Sequence, residues 1–355
     1  GPSDPTETLF SVRRPANRSA DGPMPPPSHQ QPDERTEMHN LHPGDFAHNQ
    51  PDVLVIGEAL VDIVNTREGT ISYPGGSPAN VAYGLGRLGV PTGLLTAIGE
   101  DEHGTAITTH LHSAGVRLLP GSTSLERTAT ATATLATDGS ASYEFDIRWE
   151  LAPVAPATIP KVLHTGSIAT FLAPGAATVR TLLEQSHDSC LVTYDPNIRP
   201  ALLGSHAEAK QIFEDLLPLT DVIKLSDEDA HWLYPASSLD DVASRLLNHG
   251  ARLAVITRGA EGALLATPGA RLNVPSAKTH VADTIGAGDS YMAALIFELL
   301  ARGEKAFASP ALESIGQTAA LAAAITVSRA GANPPTSDEL QARLEGLEQQ
   351  PLAAV

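Results

Sequence analysis

From residue 53 onward, two hydrophobic rhythms alternate along the chain. Short continuous apolar runs such as Val53-Leu54-Val55-Ile56 predict strands covered on both faces. Gly93 to Ile98, Val162 to His164, Leu191 to Tyr194, Val222 to Leu225 and Leu253 to Thr257 predict further strands of this kind. Between them the apolar spacing becomes helical. Ser77 to Leu88 predicts a helix with Ser77 as its cap and Pro78 in its first turn, and Gly104 to Ala114 predicts another. The last third is helical: Gly288 to Ala301, about Pro310 to Arg329, and Ser337 to Leu347. Strands alternating with helices predict an α/β fold, a doubly wound, mostly parallel sheet flanked by helices.

Two stretches break this rhythm. Residues 61–74 have a hairpin-like pattern. Residues 128–149 alternate small and polar side chains around a turn at Asp138-Gly139. Such alternation marks antiparallel strands with one wet face and predicts a small projecting β-sheet, placed as a lid. Residues 1–51 lack apolar periodicity and are rich in proline, serine and histidine, so they are expected to form a disordered tail. The expected folded domain spans residues 52–347, followed by a C-terminal tail, 348–355.

Composition narrows the function. With 355 residues and 42% hydrophobic content, the chain is long enough for one large α/β core. A net charge of -18 argues against nucleic acid and anionic membranes, which need a basic face. Cys190 is the single cysteine and cannot form an internal disulfide. With no apolar stretch of membrane length and no secretory pattern, a cytoplasmic location is expected. The 13 histidines have no metal-ligand spacing, so no zinc site is expected.

The strongest chemical motif is Asp283-Thr-Ile-Gly-Ala-Gly-Asp289, which runs directly into an apolar helix. Gly286, Ala287 and Gly288 at a helix start expose free amides at the positive end of the dipole, which makes an anion hole. Asp289, in the first turn, is placed to accept a proton from an attacking hydroxyl. A bare Gly-Ala-Gly-Asp is also an ordinary acidic helix start, so the motif needs company. Gly75-Gly76 before the helix carrying Asn80 permits close backbone contact with a ligand. Asp62, Asn197 and Arg199 fall just past predicted strands, where ligands of open α/β sheets bind. Arg199 suits the neutralisation of a phosphate in transfer. Lys224 lies near the end of the strand that closes at Leu225, and the Ser226-Asp-Glu-Asp229 segment after it carries carboxylates able to meet Mg2+ through water. By contrast, Gly84-Leu-Gly-Arg-Leu-Gly89 fits a dinucleotide fingerprint but lies late in a helix, outside the context that motif requires.

Gly75-Gly-Ser-Pro-Ala-Asn80 and Asp283-Thr-Ile-Gly-Ala-Gly-Asp289 together resemble the two signatures of the ribokinase/phosphofructokinase-B carbohydrate kinases, from about Val53 to about Pro335. Gly57-Glu-Ala-Leu-Val-Asp62, Asp195-Pro-Asn-Ile-Arg199, Lys224-Leu-Ser-Asp227 and Arg329-Ala-Gly-Ala-Asn-Pro334 are most similar to bacterial fructokinases. The resemblance implies a ribokinase-like fold and transfer of phosphate from ATP to a sugar. It implies sugar contacts at Asp62, Gly75, Gly76 and Asn80, with Asn197 and Arg199 near the moving phosphate. Asp289 is the implied base, with Gly286, Ala287 and Gly288 as anion hole. Lys224, Thr257, Gly259 and Gly262 are the implied nucleotide contacts. Mg2+ is the implied cofactor, with Asp229 near it through water. Asp283 lies at an implied potassium loop, and the lid is an implied homodimer contact. Ser226 and Asp229 stand where many members have Asn and Glu, a departure at the metal segment. Other acceptors (ribose, 2-keto-3-deoxygluconate, a nucleoside) remain open alternatives, as does a sugar sensor without catalysis.

Overall fold

The computed structural model describes residues 50–152 and 158–349. The expected tails therefore lie outside the described residues, apart from residues 50–51 and 348–349. The chain begins with β1 (Val53–Ile56), the pair β2 (Leu60–Thr66) and β3 (Gly69–Gly75), and α1 (Ser77–Arg87). Then come β4 (Thr92–Leu95), β5 (Ile98–Gly99), α2 (Glu102–Ser113), β6 (Arg117–Leu118) and β7 (Thr123–Leu125). The hairpin of β8 (Thr130–Leu135) and β9 (Ala141–Asp146) precedes β10 (Val162–Gly166), α3 (Gly175–Ser186), β11 (Leu191–Asp195) and α4 (His206–Leu216). β12 (Val222–Ser226) leads into α5 (Asp227–Leu233) and α6 (Leu239–Asn248). β13 (Leu253–Thr257), β14 (Ala263–Thr267) and β15 (Ala270–Val274) follow, then α7 (Ala287–Arg302), α8 (Leu312–Val327) and α9 (Ser337–Glu348).

Nine strands form one sheet in the order β15-β14-β13-β12-β11-β10-β1-β4-β6. Its pairings are parallel from β6 to β13 and antiparallel only at β14 and β15. β1 explains why its sequence is apolar without a break. Val53 and Val55 join the core formed with α1, α7 and α8, while Leu54 and Ile56 join the core on the other face with α3, α4 and α6. Both faces are covered, so neither register position can be polar. Each of these side chains is at most 2% exposed, and full burial of one contributes about 1.5–3 kcal/mol.

A second sheet, in the order β3-β2-β8-β9, projects from the first as a lid-like layer. Leu60, Ala129 and Ile168 form a small separate apolar cluster where it joins the main body. Its outer strands carry the exposed apolar side chains Ile71 and Tyr143. No helix among the described residues is long and apolar enough to cross a membrane.

Three local expectations are corrected. Gly93 to Ile98 is two strands: β4 stays in the main sheet, whereas β5 pairs with β7 in a separate two-stranded sheet. The chain leaves the main sheet at Thr96, whose amide turns to the Ser122 hydroxyl. The second helix begins earlier than Gly104, because Asp101 caps it by accepting the Gly104 amide at 2.8 Å. Ser77 is not a cap. Gly76 takes that position at φ 95°, which leaves the Ser77 hydroxyl free for another partner. The β14–β15 hairpin is absent from the sequence reading, although Pro268-Gly269 between two strand-like runs is its turn signal.

Candidate active site

The strand order sets where the site lies. The ends of β1, β10, β11 and β12 deliver Glu58, Ser167, Asn197 and Ser226 to one edge of the sheet, and α7 starts against that edge. α7 is entered through Gly286 in the left-handed region at φ 77°. A side chain there would bring a Cβ to 2.8 Å from the Ala332 Cβ, so glycine is needed for both backbone and space. The Ser290 amide makes the first helical bond, to the Gly286 carbonyl at 2.9 Å. Ala287 makes only a long bond of 3.4 Å to the Thr284 carbonyl. The Gly288 and Asp289 amides have no acceptor among the described residues. Free donors at the positive end of a 16-residue helix attract an anion.

Asp289 projects from this helix start into the cleft. Its Oδ1 accepts from Ser77 Oγ at 2.6 Å and its Oδ2 accepts from Asn80 Nδ2 at 2.9 Å. Loss of hydration raises its pKa above the usual carboxylate range, against the lowering effect of these bonds and of Lys224. Each oxygen keeps a second lone pair for a substrate hydroxyl. Ser77 is the partner that sequence reasoning missed. Its place directly after Gly75-Gly76 was the available signal.

Asp62 stands across the cleft on β2. A side chain at Gly75 would put its Cβ 2.1 Å from Asp62 Oδ2, so this glycine is small to admit that carboxylate. Burial pushes Asp62 up to about 6, and the Arg199 charge opposes that shift. Glu58 is buried beside them and pushed up to about 7 by loss of hydration. Its Oε2 accepts the Ala169 amide at 2.9 Å, whereas Oε1 has no hydrogen-bond partner among the described residues.

Asn197 and Ser167 adopt left-handed φ values of 38° and 57°, uncommon for residues with side chains. Their side chains approach each other, with Asn197 Nδ2 3.5 Å from Ser167 Oγ. Both line the cavity, so the strain lies at the site rather than in a remote turn.

Two cavities meet at α7. One, of about 380 Å3, is lined by Asp62, Gly76, Asn80, Asn197, Arg199 and Asp289, with Phe145 and Ile147 reaching in from the lid-like sheet and the loop after it. The other, of about 630 Å3, is lined by Thr257, Gly259, Gly262 and small side chains of α8 such as Ala320 and Ala324. Thr284, Ala287 and Gly288 border both. The two cavities thus adjoin at the start of α7, beside the free Gly288 amide.

Four expected residues line neither cavity. Gly75 makes room for Asp62. Lys224 is 4% exposed, with Nζ donating to Asp195 Oδ2 at 2.8 Å and to the Gly288 carbonyl at 3.1 Å, so it braces the α7 start from behind. Asp229 is buried, with Oδ1 accepting the Ile198 amide at 3.2 Å. Loss of hydration and the neighbouring Asp195 charge push it up to about 6. Asp283 accepts the Ile285 amide at 3.0 Å and the Gly331 amide at 2.9 Å, tying the approach to α7 to the loop after α8. These bonds hold its carboxyl below the usual range. No group of three or more His, Cys, Asp or Glu among the described residues is arranged to hold a metal directly.

Comparison with known proteins agrees with this geometry. Residues 50–339 match the profile of the pfkB family carbohydrate kinases. A fructokinase of Rhizobium leguminosarum bv. trifolii is 33% identical over 259 residues, covering 70% of this chain and 79% of that protein. The structure of a Xylella fastidiosa fructokinase with bound ATP superposes with a TM-score of 0.72 at 23% identity, covering 84% of this chain and 100% of that one. A double mutant of the Vibrio cholerae fructokinase, in a form with fructose, ADP and potassium bound, gives 0.69 at 24% identity, covering 83% and 97%. The fold is ribokinase-like, and because the profile match spans most of the described chain, the protein belongs to the pfkB family of ATP-dependent carbohydrate kinases.

Proposed function

We propose that this protein transfers the γ-phosphoryl group of ATP to a primary hydroxyl of a sugar, with fructose as the preferred acceptor. The observation that carries this reading is the position of Asp289, in the wall of one cavity and one residue past the amides shared with the other. The sugar occupies the cavity with Asp62, Asn80 and Asn197, and the nucleotide occupies the cavity with Thr257, Gly259 and Gly262. Asp289 accepts the hydroxyl proton as the oxygen attacks phosphorus. Ser77 and Asn80 fix the direction of its lone pairs. The amides at Gly286, Ala287 and Gly288, with Arg199, meet the negative charge of the phosphoryl group in flight. Phe145 and Ile147 shield the reacting groups from water, which would otherwise compete as acceptor. Backbone donors explain how a chain of net charge -18 accepts an anionic nucleotide. The 33% identical fructokinase supports fructose over other acceptors.

Mg2+ suits this site as a companion of the nucleotide. It keeps most of its waters and needs few protein ligands. Asp229 Oδ2 accepts no hydrogen bond among the described residues and is the oxygen available to such a water. When bound, the ion screens charge between the phosphates. Potassium is part of the proposal through Asp283, whose two bonds join the approach to α7 to the loop after α8. Pairing of two copies through the lid-like sheets is supported by the exposed Ile71 and Tyr143. Sedimentation of the wild type against Ile71→Glu tests it, a monomer in both disproving it.

The test of the function is ADP release with Mg·ATP over fructose, ribose, 2-keto-3-deoxygluconate, glucose and adenosine. Fructose should give the highest kcat/KM. A higher value for another acceptor would reassign the substrate, and turnover of none would remove the kinase reading for these acceptors.

A further inference from the structure

We infer that Asp229 is a positioning residue, which through the Ile198 amide holds the Asp195-to-Arg199 loop and so sets the direction of Arg199. This rests on the reading of Arg199 as the residue that meets the transferred phosphoryl group.

The loop carries an unusual burden. Asn197 sits at φ 38°, and such a conformation persists only where the surroundings over-determine it. Two successive amides supply that determination. The Asn197 amide donates to Asp195 Oδ1 at 3.1 Å, and the Ile198 amide donates to Asp229 Oδ1 at 3.2 Å. The two carboxylates come from different elements, Asp195 from the end of β11 and Asp229 from α5. Neither is free to drift. Lys224 Nζ grips Asp195 Oδ2, and the Ser226 hydroxyl accepts the Asp229 amide at 3.0 Å. Ile198 itself is 5% exposed, so its amide has no water to fall back on, and no other acceptor for it exists among the described residues.

Arg199 follows immediately and is exposed toward the cavity that holds Asp62 and Asp289. Its one side-chain hydrogen bond among the described residues, from Nη1 to the Ile198 carbonyl at 3.3 Å, belongs to the same peptide segment. The guanidinium therefore takes its direction from the backbone at Ile198. Because Lys224 also touches the Gly288 carbonyl, the anchored loop and the amides of α7 share one buried frame. Asp229 lines neither cavity, and its hold on Ile198 uses Oδ1 alone, which leaves Oδ2 for the water proposed above.

The experiment compares Asp229→Asn with Asp229→Ala in the full chain. Asparagine keeps a side-chain oxygen for the Ile198 amide, and alanine does not. Hydrogen-exchange mass spectrometry of the segment 195–202 should show protection kept in Asp229→Asn and lost in Asp229→Ala. With Mg·ATP and fructose, Asp229→Ala should have a kcat on the order of 10-fold below that of Asp229→Asn, with less change in the sugar KM and the same Mg2+ requirement in both. Equal exchange in the two variants overturns the anchor. Equal loss of kcat with an equally raised Mg2+ requirement makes Asp229 a metal residue instead. If Asp229→Ala does not fold, Asp229→Ser, too short to reach Ile198, takes its place. A wild type that turns over no acceptor removes the kinase reading, while the exchange data still decide the anchor.

Discussion

Ser77 Oγ donates a 2.6 Å hydrogen bond to Asp289 Oδ1, joining two residues 212 positions apart in sequence at the starts of two helices. The bond crosses from α1 to α7, so the packing of these helices is itself a determinant of the base. A donor on a carboxylate favours its charged form. Removal of that donor must therefore raise the Asp289 pKa further. The Ser77→Ala enzyme is expected to need a higher pH before its base is free, so the acidic limb of its kcat profile moves upward. A profile measured from pH 5 to 9 that superposes on the wild type would count against this role.

Asp289→Asn removes the proton acceptor while keeping the shape and the bond from Ser77. Its kcat should fall on the order of 100-fold or more. Titration calorimetry should find ADP and the sugar bound nearly as before. Near-normal turnover would mean that another group takes the proton.

Arg199→Ala tests a different share of the work. An interaction made mainly in the transition state lowers kcat and kcat/KM together and leaves KM little changed. That split is the expected result. A raised sugar KM at constant kcat would instead assign Arg199 to ground-state binding.

Glu58 links the site to stability through pH. Its folded pKa is raised from 4.5 to about 7, so the folded state prefers the protonated form. The stability it contributes is full below the unfolded value and is lost as pH rises through about 7. Glu58→Gln has no charge to desolvate and keeps an acceptor for the Ala169 amide. It should be more stable than the wild type at pH 8, by at most on the order of 3 kcal/mol, with the difference vanishing near pH 4. Urea midpoints at the two pH values measure this. An equal difference at both would show that Glu58 does not titrate as its burial requires.

Local chemistry determined much of this protein from sequence. Val53-Leu54-Val55-Ile56 read as a strand covered on both faces, and Gly286-Ala287-Gly288 read as a glycine-rich helix start, because each is a property of a short segment. The strand at the end of which Asn197 and Arg199 lie, and the two signatures around Asn80 and Asp289, were legible for the same reason. Tertiary packing decided the rest. Ser77 read as a cap and became a ligand of Asp289, because the partner that claims it is more than 200 residues away. Lys224 read as a nucleotide contact, and only the fold shows its Nζ buried between Asp195 and the Gly288 carbonyl. Asp229 read as a metal-side carboxylate, and the fold also commits its Oδ1 to the Ile198 amide. Which face of an element meets which neighbour is a fact about packing in three dimensions. A side chain with several chemically reasonable partners is assigned only by the one that the fold brings within about 3 Å.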